Sequence, residues 1–98
     1  MKKLVRDKIP NLIVSEEKRV PRYHISKGME FYIYLKEKIK EEAQEFIESD
    51  NVEELADLTE VIYAILKYKK VTKGDFEKVR KYKLEGKGGF KKGIILDV

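Results

Sequence analysis

The sequence contains no cysteine and no tryptophan, and it has a single histidine, His24. Without cysteine the chain has no disulfide bond and offers no thiolate to a metal ion. Its longest uninterrupted apolar run, Val61 to Leu66, is far too short to span a bilayer, which takes about 20 residues. Charged residues and Pro10 interrupt the apolar residues near the start, so no signal peptide is predicted and we expect a cytoplasmic protein.

Charge is unevenly distributed along the 98 residues. Residues 30–60 hold eleven Asp or Glu and three Lys, a net charge of −8, whereas the rest of the chain carries +12. An acidic centre between basic ends suits a metal ion bound to a phosphorylated small molecule, with carboxylates on the cation and Lys or Arg on the phosphates. The alternative is that these charged residues only solvate helix surfaces, as most charged residues do.

Apolar periodicity and capping residues predict four helices, at about 8–18, 28–48, 51–70 and 73–85. Asp7 and Asp50 are predicted to cap the first and third helices, and Thr72 with Asp75 forms a capping box for the fourth. The segment 20–25 and the tail 90–98 are expected to be extended, with at most a short two-stranded element between them. We therefore predict a single-domain, mainly all-α antiparallel bundle of about four helices.

Carboxylates interrupt the predicted apolar faces of the second and third helices. The two faces are marked by Phe31, Leu35, Ile39 and Phe46, and by Leu58, Val61, Ile62 and Ile65. Glu42 and Glu45 fall within or beside the first face, and Glu54 and Asp57 within or beside the second. The short connection between the helices makes them antiparallel neighbours, so both acidic pairs are expected to lie together.

Inward-facing carboxylates need compensation, because removing an isolated carboxylate from water costs several kcal/mol. Such acids pair with cations, take up protons or bind metal ions. We expect no Lys or Arg within either apolar face, which makes a divalent cation the simplest compensation. Ligands that are all oxygen favour Mg²⁺, Mn²⁺ or Ca²⁺ over zinc.

The acidic residues also carry a family resemblance. EEAQE at Glu41 to Glu45, followed by ELAD at Glu54 to Asp57, closely resembles the EExxE and ExxD motif of the MazG-like, all-α nucleoside triphosphate pyrophosphohydrolases. KLVRDKIP at Lys3 to Pro10 and GGFKKGIIL at Gly88 to Leu96 look like the ends of the small subfamily described as phosphoribosyl-ATP pyrophosphohydrolase-like. The resemblance spans nearly the whole chain, with Gln44 and Lys91 as modest departures.

The resemblance implies a reaction and a set of ligands. Glu42, Glu45, Glu54 and Asp57 match acids that hold Mg²⁺, or Mn²⁺ in its place, against the triphosphate of a nucleotide. Glu41 matches the first acid of the motif, and its direction about 100° from Glu42 favours a secondary role. The implied reaction is hydrolysis of a nucleoside triphosphate to a monophosphate and pyrophosphate, with Glu45 or Glu41 orienting the attacking water. Phosphoribosyl-ATP and noncanonical or surplus deoxynucleotides are both candidate substrates.

Basic and glycine-rich residues near the two ends are further candidates for substrate binding. They are Lys3, Arg6, Lys8, Lys87, Gly88, Gly89, Phe90 and Lys91. Cations at the start of a helix bind phosphate readily, but a solvated basic terminus explains Lys3, Arg6 and Lys8 equally well. Glycines allow a ligand to approach the backbone closely. A flexible linker explains the segment 87–91 equally well. We interpret His24 as structural, and the tyrosines of the second and third helices as packing residues.

Two alternatives belong to other classes of protein. A nucleic-acid-binding module is consistent with the isoelectric point near 9.2 and the basic segment Lys83 to Lys92, but the acidic centre would repel a phosphate backbone. The second alternative is a regulatory helical bundle that keeps the metal site but has lost catalysis. All the acids of the motif are present, so we favour an enzyme that acts on a nucleotide and binds neither nucleic acid nor a membrane. Surplus apolar surface on the second and third helices predicts a homodimer or higher oligomer.

Overall fold

The computed structural model describes residues 2–97, which form four α-helices and no β-strand. The helices are α1 (Ile9–Glu17), α2 (Gly28–Ser49), α3 (Val52–Tyr68) and α4 (Lys73–Lys87). The mainly all-α prediction is confirmed. Within the described residues, none of these helices has the length and apolar character that a membrane crossing requires.

The two segments that were expected to be extended form no strand among the described residues. Residues 20–25 and 90–97 are irregular, and Val98, the last residue of the predicted tail, lies outside the described residues. The apolar run Ile94 to Leu96 is at least three-quarters exposed. A two-stranded ribbon is marginal without an apolar face to pack against, so strand propensity alone is not enough here.

The chain divides into two compact units. The first, up to Ile65, contains an N-terminal arm (residues 2–8), α1, a linker (residues 18–27), α2 and most of α3. The second, from Leu66 onwards, contains the end of α3, α4 and the tail. All the acids of the predicted metal site therefore belong to the first unit, and the glycine-rich candidates belong to the second.

α1 begins without a side-chain cap. Its N-cap residue is Lys8, which makes no capping hydrogen bond, so the prediction that Asp7 caps the helix is wrong. Asp7 stands one residue before the N-cap, whereas a capping side chain must belong to the N-cap residue to reach the first-turn N–H groups. The chain instead turns before the helix, where the N–H of Ile9 donates to the carbonyl of Arg6 at 3.1 Å. Pro10 occupies the first turn as predicted.

A two-residue connection joins α2 to α3. Asp50 adopts a left-handed conformation, with φ 56°, and its N–H donates to the Phe46 carbonyl, which ends α2. Asn51, rather than the predicted Asp50, caps α3, because its Oδ1 accepts from the N–H of Glu53 at 2.9 Å. So short a connection makes the two helices antiparallel neighbours. The last turns of α2 consequently lie beside the first turns of α3.

α4 begins at the predicted cap and runs beyond its predicted end. The hydroxyl of Thr72 accepts from the N–H of Asp75 at 3.0 Å, as expected for a capping box. The sequence predicts an end near residue 85, but the helix continues to Lys87 and Gly86 lies inside its last turn. The helix ends only at Gly88, which has φ 82° and donates its N–H to the carbonyl of Leu84.

Few side chains are fully buried. The buried apolar residues among those described are Leu35, Val61 and Leu66, with Leu35 only 1% exposed. Leu35 and Val61 were predicted from the apolar spacing of α2 and α3, and the other members of those two faces are half-buried. Within the described residues the one buried charged side chain is Glu42, at 7% exposure.

Candidate metal centre

Five acids converge where α2 lies beside α3. One oxygen each from Glu41, Glu42 and Glu45 lies within 4.8 Å of the other two, and the same holds for Glu42, Glu54 and Asp57. Glu42 belongs to both groups. We call these five residues the acidic cluster. Spacings of three and four residues place side chains on one side of each helix, so facing helices bring them together as the sequence predicted.

The donor set suits a hard divalent cation. Every donor is a carboxylate oxygen, the ligand that Mg²⁺, Mn²⁺ and Ca²⁺ prefer. Oxygens that share one Mg²⁺ at about 2.1 Å lie no more than roughly 4.2 Å apart. The oxygens of each group lie within 4.8 Å of one another, so small side-chain rotations would suffice to bring them to a common cation.

Glu42 is the centre of the cluster and its most buried member. Its Oε1 lies 3.3 Å from the ammonium of Lys38, but its Oε2 is buried and has no hydrogen-bond partner. An unsatisfied buried acceptor costs about 1–3 kcal/mol, and more when it is charged. Burial raises the pKa of the Glu42 carboxyl above its ordinary value, and the neighbouring Glu45 raises it further while Lys38 opposes the change.

Lys38 corrects the expectation that no cation shares the inward face. Its ammonium lies 3.2 Å from Glu41 and 3.3 Å from Glu42, and its side chain is only 14% exposed. A residue four positions before Glu42 lies about 40° from it around the helix, so the two share a face. The signal was present in the sequence, because i, i+4 spacing alone places Lys38 beside Glu42.

Two cations of the N-terminal arm also reach the acidic cluster. Arg6 donates to Asp57 at 2.6 Å, and the ammonium of Lys3 lies 3.6 Å from Glu41. Both cationic side chains are more than half exposed, so these pairs add little stability and exchange readily for other partners. The arm thus supplies part of the positive charge that the carboxylates were expected to receive from a metal ion. It leaves Oε2 of Glu42 without a partner.

The other candidate substrate residues are exposed. Lys8 is exposed at the N-cap of α1. The glycine-rich candidates of the second unit are exposed, and Phe90 is fully so. Within that unit an open groove is lined by Arg80, Lys83, Leu84, Lys87, Gly88, Gly89 and Phe90. Within the first unit, the basic candidates with described contacts to the acidic cluster are Lys3 and Arg6.

Comparisons of the chain with protein-family models, with curated proteins and with solved structures found no match. The features of the molecule that bear on function are therefore the acidic cluster itself, the unpartnered oxygen of Glu42 and the cations beside it.

Proposed function

We propose that the protein is a Mg²⁺-dependent nucleoside triphosphate pyrophosphohydrolase of the MazG-like type. The observation that carries the proposal is the Oε2 atom of Glu42, which is buried and unpartnered at the centre of five acids. A divalent cation satisfies such an oxygen and offsets the repulsion among neighbouring carboxylates. A Lys or Arg on either helix supplies only one positive charge, and Lys38 already spans Glu41 and Glu42.

Glu42, Glu54 and Asp57 form the set that would hold the cation between the two helices, with Glu45 as a further ligand. A bound Mg²⁺, or Mn²⁺ in its place, supplies positive charge to the phosphate oxygens and acidity to a coordinated water. A cation bound to either group of acids engages Glu42, because both groups contain it. This shared position makes Glu42 the residue on which metal binding depends most.

The chain's own residues provide the remaining functions. Oε1 of Glu41 is already paired with the ammonium groups of Lys3 and Lys38, at 3.6 Å and 3.2 Å. We therefore assign the orientation of the attacking water to Glu45. Lys3 and Arg6 are placed to bind phosphate oxygens once they leave the carboxylates. The products are a nucleoside monophosphate and pyrophosphate, and phosphoribosyl-ATP and surplus or noncanonical deoxynucleotides are both candidate substrates in the cytoplasm.

The reaction is tested by ³¹P NMR of the purified protein with ribo- and deoxynucleoside triphosphates and phosphoribosyl-ATP. We expect pyrophosphate to appear as the direct product in the presence of Mg²⁺, and to be absent when EDTA is added. Orthophosphate as the direct product would contradict the proposal, because it indicates cleavage at the terminal phosphate. Absence of any product across the panel would contradict it as well and favour a binding or regulatory role.

We also propose that the protein is a homodimer or larger homo-oligomer. Three apolar side chains are buried among the described residues, while large apolar side chains stay exposed on α2 and α3. They include Ile33, Ile47, Val52, Leu55 and Tyr63. A second copy of the chain covers such a surface with matching helices, as in four-helix bundles assembled from two chains.

Sedimentation velocity tests the oligomer directly. At micromolar concentration we expect a species of at least twice the chain mass of 11.6 kDa. Ile47→Lys, on the exposed side of α2, is expected to shift the equilibrium towards the monomer because it places charge on an apolar interface. Ser15→Lys, at an exposed polar position of α1, serves as the matched control. A wild-type protein that sediments only as a monomer would refute the oligomer.

A further inference from the structure

A cavity of about 760 Å³ lies in the first unit. It is bounded by the N-terminal arm, the first half of α1, residues 21–26 of the linker and the first turns of α2. Its volume falls within the roughly 300–1,000 Å³ typical of sites for small molecules. The acidic cluster does not line it, so the cavity is a separate feature that the proposed metal centre leaves unexplained.

Aromatic rings form part of the cavity wall. Tyr23 comes from the linker, and Phe31 and Tyr34 come from the first turns of α2. Phe31 and Tyr34 are half-buried, and Tyr23 is 65% exposed. A wall of this kind favours a ligand with a flat ring, because any of the nucleic-acid bases stacks on aromatic side chains.

The polar part of the wall is strongly cationic. Lys2, Lys3, Arg6 and Arg22 line the cavity, and Asp7 is the acid among its lining residues. This charge favours an anionic ligand. Aromatic and cationic walls together favour a ligand that carries both a planar ring and phosphate.

Two residues connect the cavity to the acidic cluster. Lys3 and Arg6 line the cavity and also contact Glu41 and Asp57. Along α2, Tyr34 precedes Glu41 by seven residues, so the two lie on one face about 10.5 Å apart along the helix axis. The cationic residues therefore stand at the boundary between an aromatic cavity and a group of metal-binding candidates.

We infer that this cavity binds the base and sugar of the nucleotide whose phosphates meet the acidic cluster. The inference rests on the proposed function and assigns a position to the nucleoside half of its substrate. The base lies against Tyr34 and Phe31, and Lys3 and Arg6 hold the phosphates at the cavity's edge. The N-terminal arm is then a wall of the substrate site, rather than a solvated terminus.

The test is NMR chemical-shift mapping of the ¹⁵N-labelled protein with Mg²⁺. The ligands are purine and pyrimidine nucleoside 5′-monophosphates and, separately, pyrophosphate. A monophosphate is expected to shift the amide signals of Tyr23, Phe31 and Tyr34, and pyrophosphate is expected to shift those of the arm and the acidic cluster while sparing these three. Because the monophosphate is a product, the result does not depend on hydrolysis.

A pair of variants tests the role of the aromatic wall. Tyr34→Leu keeps an apolar side chain but removes the ring, and it is expected to weaken monophosphate binding roughly five- to 150-fold, the range for one stacked base. Pyrophosphate affinity should stay within twofold of wild type. Tyr82→Leu, at a 79% exposed tyrosine of α4 that does not line the cavity, is the control and should change neither affinity.

The outcomes separate this inference from the proposed reaction. The cavity assignment would be overturned if monophosphates shifted only signals of the arm and the acidic cluster, or shifted none at all. The proposed hydrolysis would then still be tested separately by ³¹P NMR. Cavity shifts in a protein that releases no pyrophosphate from any triphosphate would support the assignment and reject the proposed reaction.

Discussion

Glu42→Gln and Asp57→Asn are each expected to reduce Mg²⁺-dependent pyrophosphate release by at least about 100-fold. Both changes keep the size of the side chain and replace a charged oxygen with an amide nitrogen. Loss of a residue that merely supports a metal ligand already costs 10–100-fold in affinity or activity, so loss of a ligand should cost at least as much. Glu42 contributes to both groups of acids, so its variant is expected to be the more severely affected.

Matched controls for this prediction lie on the same two helices. Glu48→Gln on α2 and Glu53→Gln on α3 remove the same charge from exposed residues outside the acidic cluster. Both controls should retain activity within about twofold, and all four proteins should give the same helical circular dichroism signal. Wild-type turnover in both Glu42→Gln and Asp57→Asn would exclude the acidic cluster as the catalytic metal site.

Glu42→Gln is further expected to raise the thermal stability of the metal-free protein. The carboxylate is 7% exposed and one of its oxygens has no partner, whereas a neutral amide removes the charge from this buried position. Lys38 keeps its contact with Glu41 after the change. In EDTA at neutral pH the variant should melt a few degrees above wild type, since about 1 kcal/mol moves Tm by roughly 4–8 °C in a domain of this size.

Mg²⁺ should make wild type more thermally stable than Glu42→Gln, the reverse of the order expected in EDTA. A ligand that binds only the folded state stabilises it by mass action, by about 2.7 kcal/mol at 100 times its Kd. Wild type is expected to gain this stability, and Glu42→Gln is not. Differential scanning calorimetry with and without Mg²⁺ measures both effects. A variant that is less stable than wild type in EDTA, or that responds to Mg²⁺ as wild type does, would contradict the role assigned to Glu42.

The stability difference in EDTA should also depend on pH. The pKa of Glu42 is raised above its ordinary value of 4.5, so the folded protein holds this proton more tightly than the unfolded chain. The stability that wild type gains from protonated Glu42 is therefore fully present below the pKa of the unfolded chain. It is lost as pH rises through the higher pKa of the folded protein. The gap between variant and wild type should accordingly be widest at neutral pH and narrow as pH falls towards 4.5.

Helical periodicity was sufficient to predict the centre of the candidate site. The apolar spacing of α2 and α3 fixes which side of each helix faces inward, so the burial of Leu35, Val61 and Glu42 follows from counting residues. The short connection then fixes which turns of the two helices are neighbours. Convergence of the acids was predictable from these two facts alone.

The cations around the acids were harder to predict, for different reasons. Lys38 lies on the same face as Glu42 by simple spacing, but a lysine is normally assigned to the solvent because its ammonium stays hydrated. Lys3 and Arg6 reach the acids through contacts that span many residues, and no local pattern encodes them. The predicted caps Asp7 and Asp50 each lie one residue before the observed N-cap position, because capping depends on backbone angles as well as side-chain chemistry.

The most direct test of the central claim is a crystal structure determined from protein soaked in Mn²⁺, with the ion located by its anomalous scattering. We predict an anomalous peak within coordination distance of Oε2 of Glu42 and of at least one carboxylate of α3, Glu54 or Asp57. Arg6 should then be displaced from Asp57. The opposite result, with no anomalous peak at the acidic cluster and Lys38 and Arg6 still paired with its carboxylates at millimolar Mn²⁺, would contradict a metal centre at this position.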